Sequence, residues 1–321
     1  LYLGNSGTGL RLLVGLLSTR NISVSFSGDK SLSSRPMMRI IEPLLKMNIS
    51  IDHNNGFLPL KIISNNDYSI PINFSLKLGS AQVKSAILLA GLNTIGTTVI
   101  DEKIPSRDHT EILMEYLGVK IRKNKKKIFL ESPNFLKPKD IYIPGDFSSA
   151  AFIIVAVLIT KNSQVTIENV GLNYFRTGLL EILKKMHAKI KIFNKRKVNG
   201  ELVGDLTVLS SNLFATNVNS KIVPRLIDEL PILFVAASFA EGTSTFNGIE
   251  ELKFKESDRL ITMAEALKNA GVKLQLKENS LSIKGNKKQT GGNLVLTKHD
   301  HRIAMSMLVF GLAAEEKIKI D

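Results

Sequence analysis

The sequence predicts an α/β protein assembled from repeats of one β-α-β-α-β-β unit. Two observations lead there. Small or charged junctions recur, each followed by an apolar helical run: Gly4-Asn5-Ser6-Gly7-Thr8-Gly9, Gly79-Ser80-Ala81-Gln82-Val83-Lys84-Ser85, Gly145-Asp146-Phe147-Ser148-Ser149, Asp228-Glu229-Leu230-Pro231 and Asp300-His301-Arg302. Within the four complete copies an arginine (Arg35, Arg107, Arg176 or Arg259) introduces a second, amphipathic helix. Equivalent points lie roughly 66 to 84 residues apart, the length of a whole supersecondary unit.

The elements follow in order. Leu10-Arg11-Leu12-Leu13-Val14-Gly15-Leu16-Leu17 reads as a buried helix, and Ile22-Ser23-Val24-Ser25-Phe26 alternates like a strand. Ser34-Arg35-Pro36 starts the next helix, with Pro36 suited to its first position. That helix carries Met38, Ile41, Leu44 and Leu45 and gives way to a strand at Ile49-Ser50-Ile51. The second copy supplies the helix Ala86-Ile87-Leu88-Leu89-Ala90-Gly91, the strand Thr98-Val99-Ile100, a helix from Ser106-Arg107-Asp108-His109 and the strand Val119-Lys120-Ile121. The third runs through Val165-Thr166-Ile167 and Arg176 to Ala188-Lys189-Ile190. The fourth runs through Ser244-Thr245-Phe246 to Gly271-Val272-Lys273-Leu274. A fifth stops after its first helix. The chain therefore starts and ends inside a repeat, which implies a fragment.

Its 321 residues exceed one ordinary core, so two domains are expected. The prolines and charges from Lys137-Pro138-Lys139-Asp140 to Pro144-Gly145 mark the break, giving 1–143 and 144–321. With 44% hydrophobic and 22% charged residues the composition is globular. There is no cysteine, which excludes disulfides, thiolate metal sites and cysteine nucleophiles. No apolar run reaches the roughly 20 residues of a membrane span. The net charge of +14 suits nucleic acid, an acidic membrane or small anions. Part of it sits in Arg122-Lys123-Asn124-Lys125-Lys126-Lys127, which reads as a solvated loop. Five tyrosines and no tryptophan leave little to stack bases.

The chemistry concentrates at the junctions. Helix starts rich in Gly, Ser and Thr present free N–H groups, and several of them converging would bind an anion without a metal. Gly4 to Gly9 is not a P-loop, because no Lys-Ser/Thr pair follows the glycines. Arg11, Arg35, Arg107, Arg259 and Arg302 stand in or beside helix starts, and arginine suits bidentate contact with carboxylate or phosphate. Arg302 lies in a mostly apolar helix and needs a partner. In Glu250-Glu251-Leu252-Lys253-Phe254-Lys255-Glu256-Ser257-Asp258-Arg259, Ser257 or Asp258 can cap the helix that follows. Asp228 can serve equally as a cap before Pro231 or as a general base among cations, and Glu256 is a second carboxylate of that kind.

Taken together and in order, these stretches resemble 5-enolpyruvylshikimate-3-phosphate synthase, the 3-phosphoshikimate 1-carboxyvinyltransferase family. The resemblance rests on Gly4-Asn5-Ser6-Gly7-Thr8, Arg35-Pro36-Met37, Gly79 through Ala86, Ser106 through Glu111, Pro144-Gly145-Asp146, Asp228 through Ile232, Lys255 through Arg259 and Asp300 through Met305. It implies the enolpyruvyl transferase fold, a two-lobed inside-out α/β barrel of repeated βαβαββ units with helix N-termini facing a cleft between the lobes. It implies transfer of the enolpyruvyl group of phosphoenolpyruvate to the 5-hydroxyl of shikimate 3-phosphate, with release of phosphate, by a cytoplasmic monomer without metal or organic cofactor, nucleic-acid partner or membrane. By match to the family motif, Ser80, Gln82, Ser106, Asp228 and Lys255 hold shikimate 3-phosphate, and Gly7, Arg35, Gln82, Arg259 and Arg302 hold phosphoenolpyruvate. Asp228 and Glu256 are the acid/base candidates.

The family's N-terminal Lys-Ser-x-x-x-Arg segment does not occur in this sequence, and a fragment lacking it is expected to be inactive. Ala81, His109 and Glu251 stand where one branch of the family has Ser, Tyr and Asn. The alternatives are the enolpyruvyl transferase acting on UDP-N-acetylglucosamine, whose usual loop cysteine is missing here, and a basic RNA-binding repeat protein.

Overall fold

The computed structural model describes residues 1–64, 68–77, 79–132 and 135–321. The chain forms two compact units, Leu1–Ile141 and Tyr142–Asp321. Unit 1 contains α1 (Gly7–Leu17), β1 (Val24–Phe26), α2 (Lys30–Ser33), α3 (Met38–Lys46) and the hairpin β2 (Ser50–Asn54) and β3 (Phe57–Ile63). It continues with β4 (Asn73–Leu76), α4 (Ala81–Gly91), β5 (Gly96–Glu102), α5 (His109–Tyr116), β6 (Ile121–Asn124) and β7 (Lys127–Ser132). Unit 2 contains α6 (Phe147–Ile159), β8 (Gln164–Gly171), α7 (Gly178–Lys185), β9 (Lys189–Val198) and β10 (Glu201–Leu209). Next come β11 (Asn217–Val218), α8 (Leu230–Ser238), β12 (Gly242–Asn247), α9 (Arg259–Asn269), β13 (Lys273–Lys277) and β14 (Ser280–Gly285). β15 (Leu294–Val295), α10 (His301–Gly311) and β16 (Lys319–Ile320) complete it.

Sheet topology establishes the repeat. Strand order is β4-β5-β7-β6 in one sheet and β11-β12-β14-β13 in another, so both follow the order first, second, fourth, third. In each, the first pair is parallel and the others antiparallel. The sheets β1-β3-β2 and β8-β10-β9 follow the same order with the leading strand reduced to one parallel bridge, Tyr2 to Ser27 and Gly145 to Val170. The fifth copy keeps its parallel pair, β15 with β16.

Helices lie inside each unit and sheets outside. The first helices of the copies in unit 2, α6, α8 and α10, pack on one another. All nine residues of α8 are buried, as expected for a helix apolar on every side. In unit 1, α1 crosses α4. Only Gly7, Leu10, Val14 and Gly15 of α1 are fully buried, so this helix is one-faced and not buried throughout as its sequence suggested. Gly15 sets the crossing distance: a Cβ there would lie 2.3 Å from the carbonyl oxygen of Ala86.

Two local expectations change. Pro36 lies outside α3, which begins at Met38. The Met37 amide donates to the Gly56 carbonyl of the β2–β3 turn at 2.7 Å, and this contact delays the helix start. The basic run at 122–127 is a hairpin and not a loop: β6 and β7 pair in register around Lys125, whose φ is 53°. The lysines remain exposed. β6, β9 and β13 are each the outer strand of their sheet, and they carry Lys123, Lys189, Lys191, Lys195, Lys197, Lys273 and Lys277. Lysines on an edge strand discourage pairing with another chain, so part of the basic excess has a structural role. No helix among the described residues is long and apolar enough to cross a membrane.

The α1–α4 crossing predicts that Gly15→Ala destabilises unit 1. Ala gains about 1 kcal/mol over Gly within a helix, but overpacking against a backbone carbonyl costs about 1–3 kcal/mol. Urea denaturation followed by circular dichroism measures the balance, and a variant more stable than the parent would contradict the crossing.

Candidate active site

In unit 2 the charged side chains gather where the apolar helices begin. Asp228 lies in a 3₁₀ turn, Ile227–Glu229, directly before α8. It does not cap that helix, since the cap position is Glu229 and no side chain caps there. The turn frees the Asp228 carboxylate for cations: Oδ1 lies 3.2 Å from Lys255 Nζ and 3.7 Å from Arg259 Nη1. Its backbone carbonyl accepts from Arg302 Nη1 at 3.0 Å. Of the two uses the sequence left open for Asp228, capping is thereby removed.

Arg259 is the first residue of α9, and Asp258 caps the helix by accepting from the Ile261 amide at 3.1 Å. The guanidinium is 1% exposed and faces three carboxylates. Nε donates to Asp300 Oδ2 at 2.8 Å, Nη2 pairs with Glu256, and Nη1 approaches Asp228. Asp300 is fully buried and caps α10 through the Arg302 amide, at 3.0 Å. Burial alone would raise its pKa, but the Arg259 charge and hydrogen bonds from Arg259, Arg302 and Ser257 hold it below the usual carboxylate value. The arginine most in need of partners is therefore Arg259, whereas Arg302 is partly exposed.

The start of α6 joins the same region. Asp146 accepts from the Ser149 amide at 2.9 Å and from Arg176 at 2.6 and 3.0 Å. Burial raises its pKa, but Arg176 and the helix-cap bonds outweigh that and lower it. Ser148 donates to Glu229, so the α6 and α8 starts touch.

Unit 1 holds two clusters. At the start of α1, a Cβ on Gly7 would lie 2.9 Å from Arg11 Nη1 and 3.0 Å from Arg35 Nη1. Two guanidinium groups therefore flank a residue with no side chain. Arg11 donates to Gln82 Oε1 at 2.7 Å, and Gln82 Nε2 donates to Thr8 Oγ1 at 2.7 Å. Arg35 bonds Asn5 and, at 3.2 Å, Ser31 Oγ. Its buried Nε has no acceptor among the described residues. A donor left over beside a helix N-terminus suits an oxyanion. Ser80 caps α4, accepting from the Val83 amide at 3.4 Å.

Ser106 belongs to the second cluster. Its amide donates to Glu102 Oε1 at 2.8 Å, and its hydroxyl donates to the same oxygen. Lys84 is fully buried among Glu102 at 3.0 Å, Glu111 at 2.8 Å and the Ser106 carbonyl at 3.4 Å. Burial raises the Glu111 pKa, although Lys84 opposes it.

Gly7, Arg35 and Gln82 are thus brought together in unit 1, and Asp228, Lys255, Glu256, Arg259 and Arg302 in unit 2. Ser106 stands in its own cluster. The sequence reading did not assign Lys84, Glu102, Thr8, Asp300, Ser148 or Glu229 to the site. Lys84 carried a signal, since a lone lysine in an apolar helix needs a buried partner. Among the described residues no three His, Asp or Glu side chains group as a metal site requires.

The Arg259 cluster predicts that Asp300→Asn costs about 3–5 kcal/mol at neutral pH, because it leaves buried charge uncompensated. The Asp300 pKa is lowered on folding, so its contribution is complete above the ordinary carboxylate value near 3.8. It is lost as pH falls through the lowered value. Denaturation curves of parent and variant should differ at pH 7 and converge in acid, while a constant gap would place the effect elsewhere.

A family model described as EPSP synthase (3-phosphoshikimate 1-carboxyvinyltransferase) matches residues 1–321. The 3-phosphoshikimate 1-carboxyvinyltransferase of Petrotoga mobilis is 43% identical over 320 residues, covering 99% of this chain and 74% of the relative. That of Zymomonas mobilis is 46% identical over 330 residues, covering 100% of this chain and 73% of the relative. Among solved structures, EPSP synthase from Acinetobacter baumannii matches with a TM-score of 0.88 at 40% identity, covering 100% of this chain and 74% of that one. With the helices-inside repeats described above, these matches place the chain in the EPSP synthase family.

Proposed function

We propose that this protein transfers the enolpyruvyl group of phosphoenolpyruvate to the 5-hydroxyl of shikimate 3-phosphate and releases phosphate. The observation that carries the reading is the Asp228 carboxylate held between Lys255 and Arg259, with Arg302 on its carbonyl. Both substrates are anionic, and the reaction needs a base among cations. In this reading residues 1–143 and 144–321 are the two lobes. Ser80, Gln82, Ser106, Asp228 and Lys255 hold shikimate 3-phosphate, and Gly7, Arg35, Gln82, Arg259 and Arg302 hold phosphoenolpyruvate. The reading extends to a monomer in the cytoplasm, which light scattering and cell fractionation test.

The residues suit each step. The 5-hydroxyl gives its proton to Asp228 as its oxygen bonds to C2 of phosphoenolpyruvate, and C3 takes up a proton. The tetrahedral intermediate then loses the proton at C3 as the C2–O bond to phosphate breaks. Arginines neutralise the carboxylate and the leaving phosphate. Glu256, paired with Arg259, is the second acid/base group. Gly7 lets the Arg11 and Arg35 guanidiniums approach the start of α1, where a Cβ would meet them.

The direct test is phosphate release requiring both substrates, measured for these residues within the full-length protein. Asp228→Asn should lower turnover on the order of 10²- to 10⁴-fold and shift calorimetric affinity for shikimate 3-phosphate far less, by at most about 1.5–3 kcal/mol. Lys255→Met should weaken binding instead. Lost binding with retained turnover in Asp228→Asn would transfer the base role to Glu256.

The exposed lysines of the β6–β7 hairpin are outside this chemistry. Neutralising Lys123, Lys125, Lys126 and Lys127 should leave affinity within a few-fold at physiological salt, where the Debye length is about 8 Å. A large loss in titration calorimetry would bring that hairpin to the substrate.

A further inference from the structure

Glu229 follows Asp228 directly, yet the two carboxyls meet opposite surroundings. Asp228 faces Lys255 and Arg259. Glu229 is 2% exposed, and its Oε1 accepts from the hydroxyl of Ser148, which is 1% exposed in the first turn of α6. Among the described residues no lysine or arginine nitrogen lies within ion-pairing distance of Glu229. Two adjacent carboxylates repel, and the one without a cation is the one that burial disfavours as an anion.

We propose that Ser148 and Glu229 form a positioning pair whose buried hydrogen bond fixes the turn presenting Asp228. This inference rests on Asp228 as proton acceptor. The pair ties the α8 start to the α6 start, and α6 is itself held by Asp146, which caps it and is gripped by Arg176. A shift of the 3₁₀ turn would move Asp228 away from Lys255 and Arg259 together. Burial and the neighbouring Asp228 charge both push the Glu229 pKa up. The Ser148 hydrogen bond and the more distant charges of Arg176 and Arg302 act the other way without reversing it. Buried and bonded to Ser148, Glu229 is a positioning residue.

The test combines a titration with kinetics. In ¹³C NMR of the intact protein, with the Glu229 carboxyl signal identified by its loss in Glu229→Gln, that carboxyl should titrate above the ordinary glutamate value of about 4.3. Asp228→Asn should lower this titration, because the like charge is gone. A Glu229 titration at or below the ordinary value, or one unmoved by Asp228→Asn, overturns the pairing of the two carboxyls. In steady-state assays Glu229→Gln, which still accepts from Ser148, should keep kcat within about threefold. Ser148→Ala should lower kcat about tenfold with both KM values nearly constant, since small misplacements of a catalytic group are costly. Equal loss in both variants, or a change confined to KM, also overturns the proposal. Full turnover by Asp228→Asn would instead remove the assignment of the base, while the titration still decides the state of Glu229.

Discussion

The unit 2 site depends on one buried guanidinium. Arg259 is a full charge with 1% exposure, and burying such a group costs several kcal/mol before any partner is counted. Asp300, Glu256 and Asp228 surround it, and each belongs to a different segment. Asp300 caps α10, Glu256 precedes α9 and Asp228 precedes α8. Leaving any of these segments out of place would strand charge in the interior. The need to compensate Arg259 therefore aligns three chain segments at one end of the helical core.

Helix placement makes that alignment possible. α6 and α8 are apolar on most sides and bury most of their length, and α10 packs its apolar face against both. Parallel use of the same repeat brings their starting ends together, where N–H groups are left without helical acceptors. The anion-seeking chemistry is thus a by-product of how the repeats bury their first helices. Unit 1 applies the same logic at α1 and α4, joined at their starts by the Arg11–Gln82–Thr8 bonds.

Much of this was readable in the sequence, and the exceptions have physical causes. Helix starts were legible because capping chemistry is local: Ser6, Ser80, Asp146, Asp258 and Asp300 each cap the helix that follows them. The outer hairpins were harder. β3 contains Pro59, a residue that counts against a strand, near a register shift against β2, and the second half of β9 is crowded with charge at Lys195, Arg196 and Lys197. Asp228 looked equally like a cap because only the 3₁₀ turn distinguishes it from one. Glu229 and Ser148 gave no signal, since their meeting joins residues 81 positions apart.

The lysine-lined edge strands also tie the protection of the sheet edges to the surrounding medium. Neighbouring strands in a sheet lie about 4.8 Å apart. At physiological ionic strength charges still act across about 8 Å, so an approaching strand meets the full row of ammonium groups on β9 before it can form a bond. Near 1 M salt the range shrinks to about 3 Å, shorter than the strand spacing. The guard is then removed without any change in fold. Protection of this kind is a property of the protein and its electrolyte together.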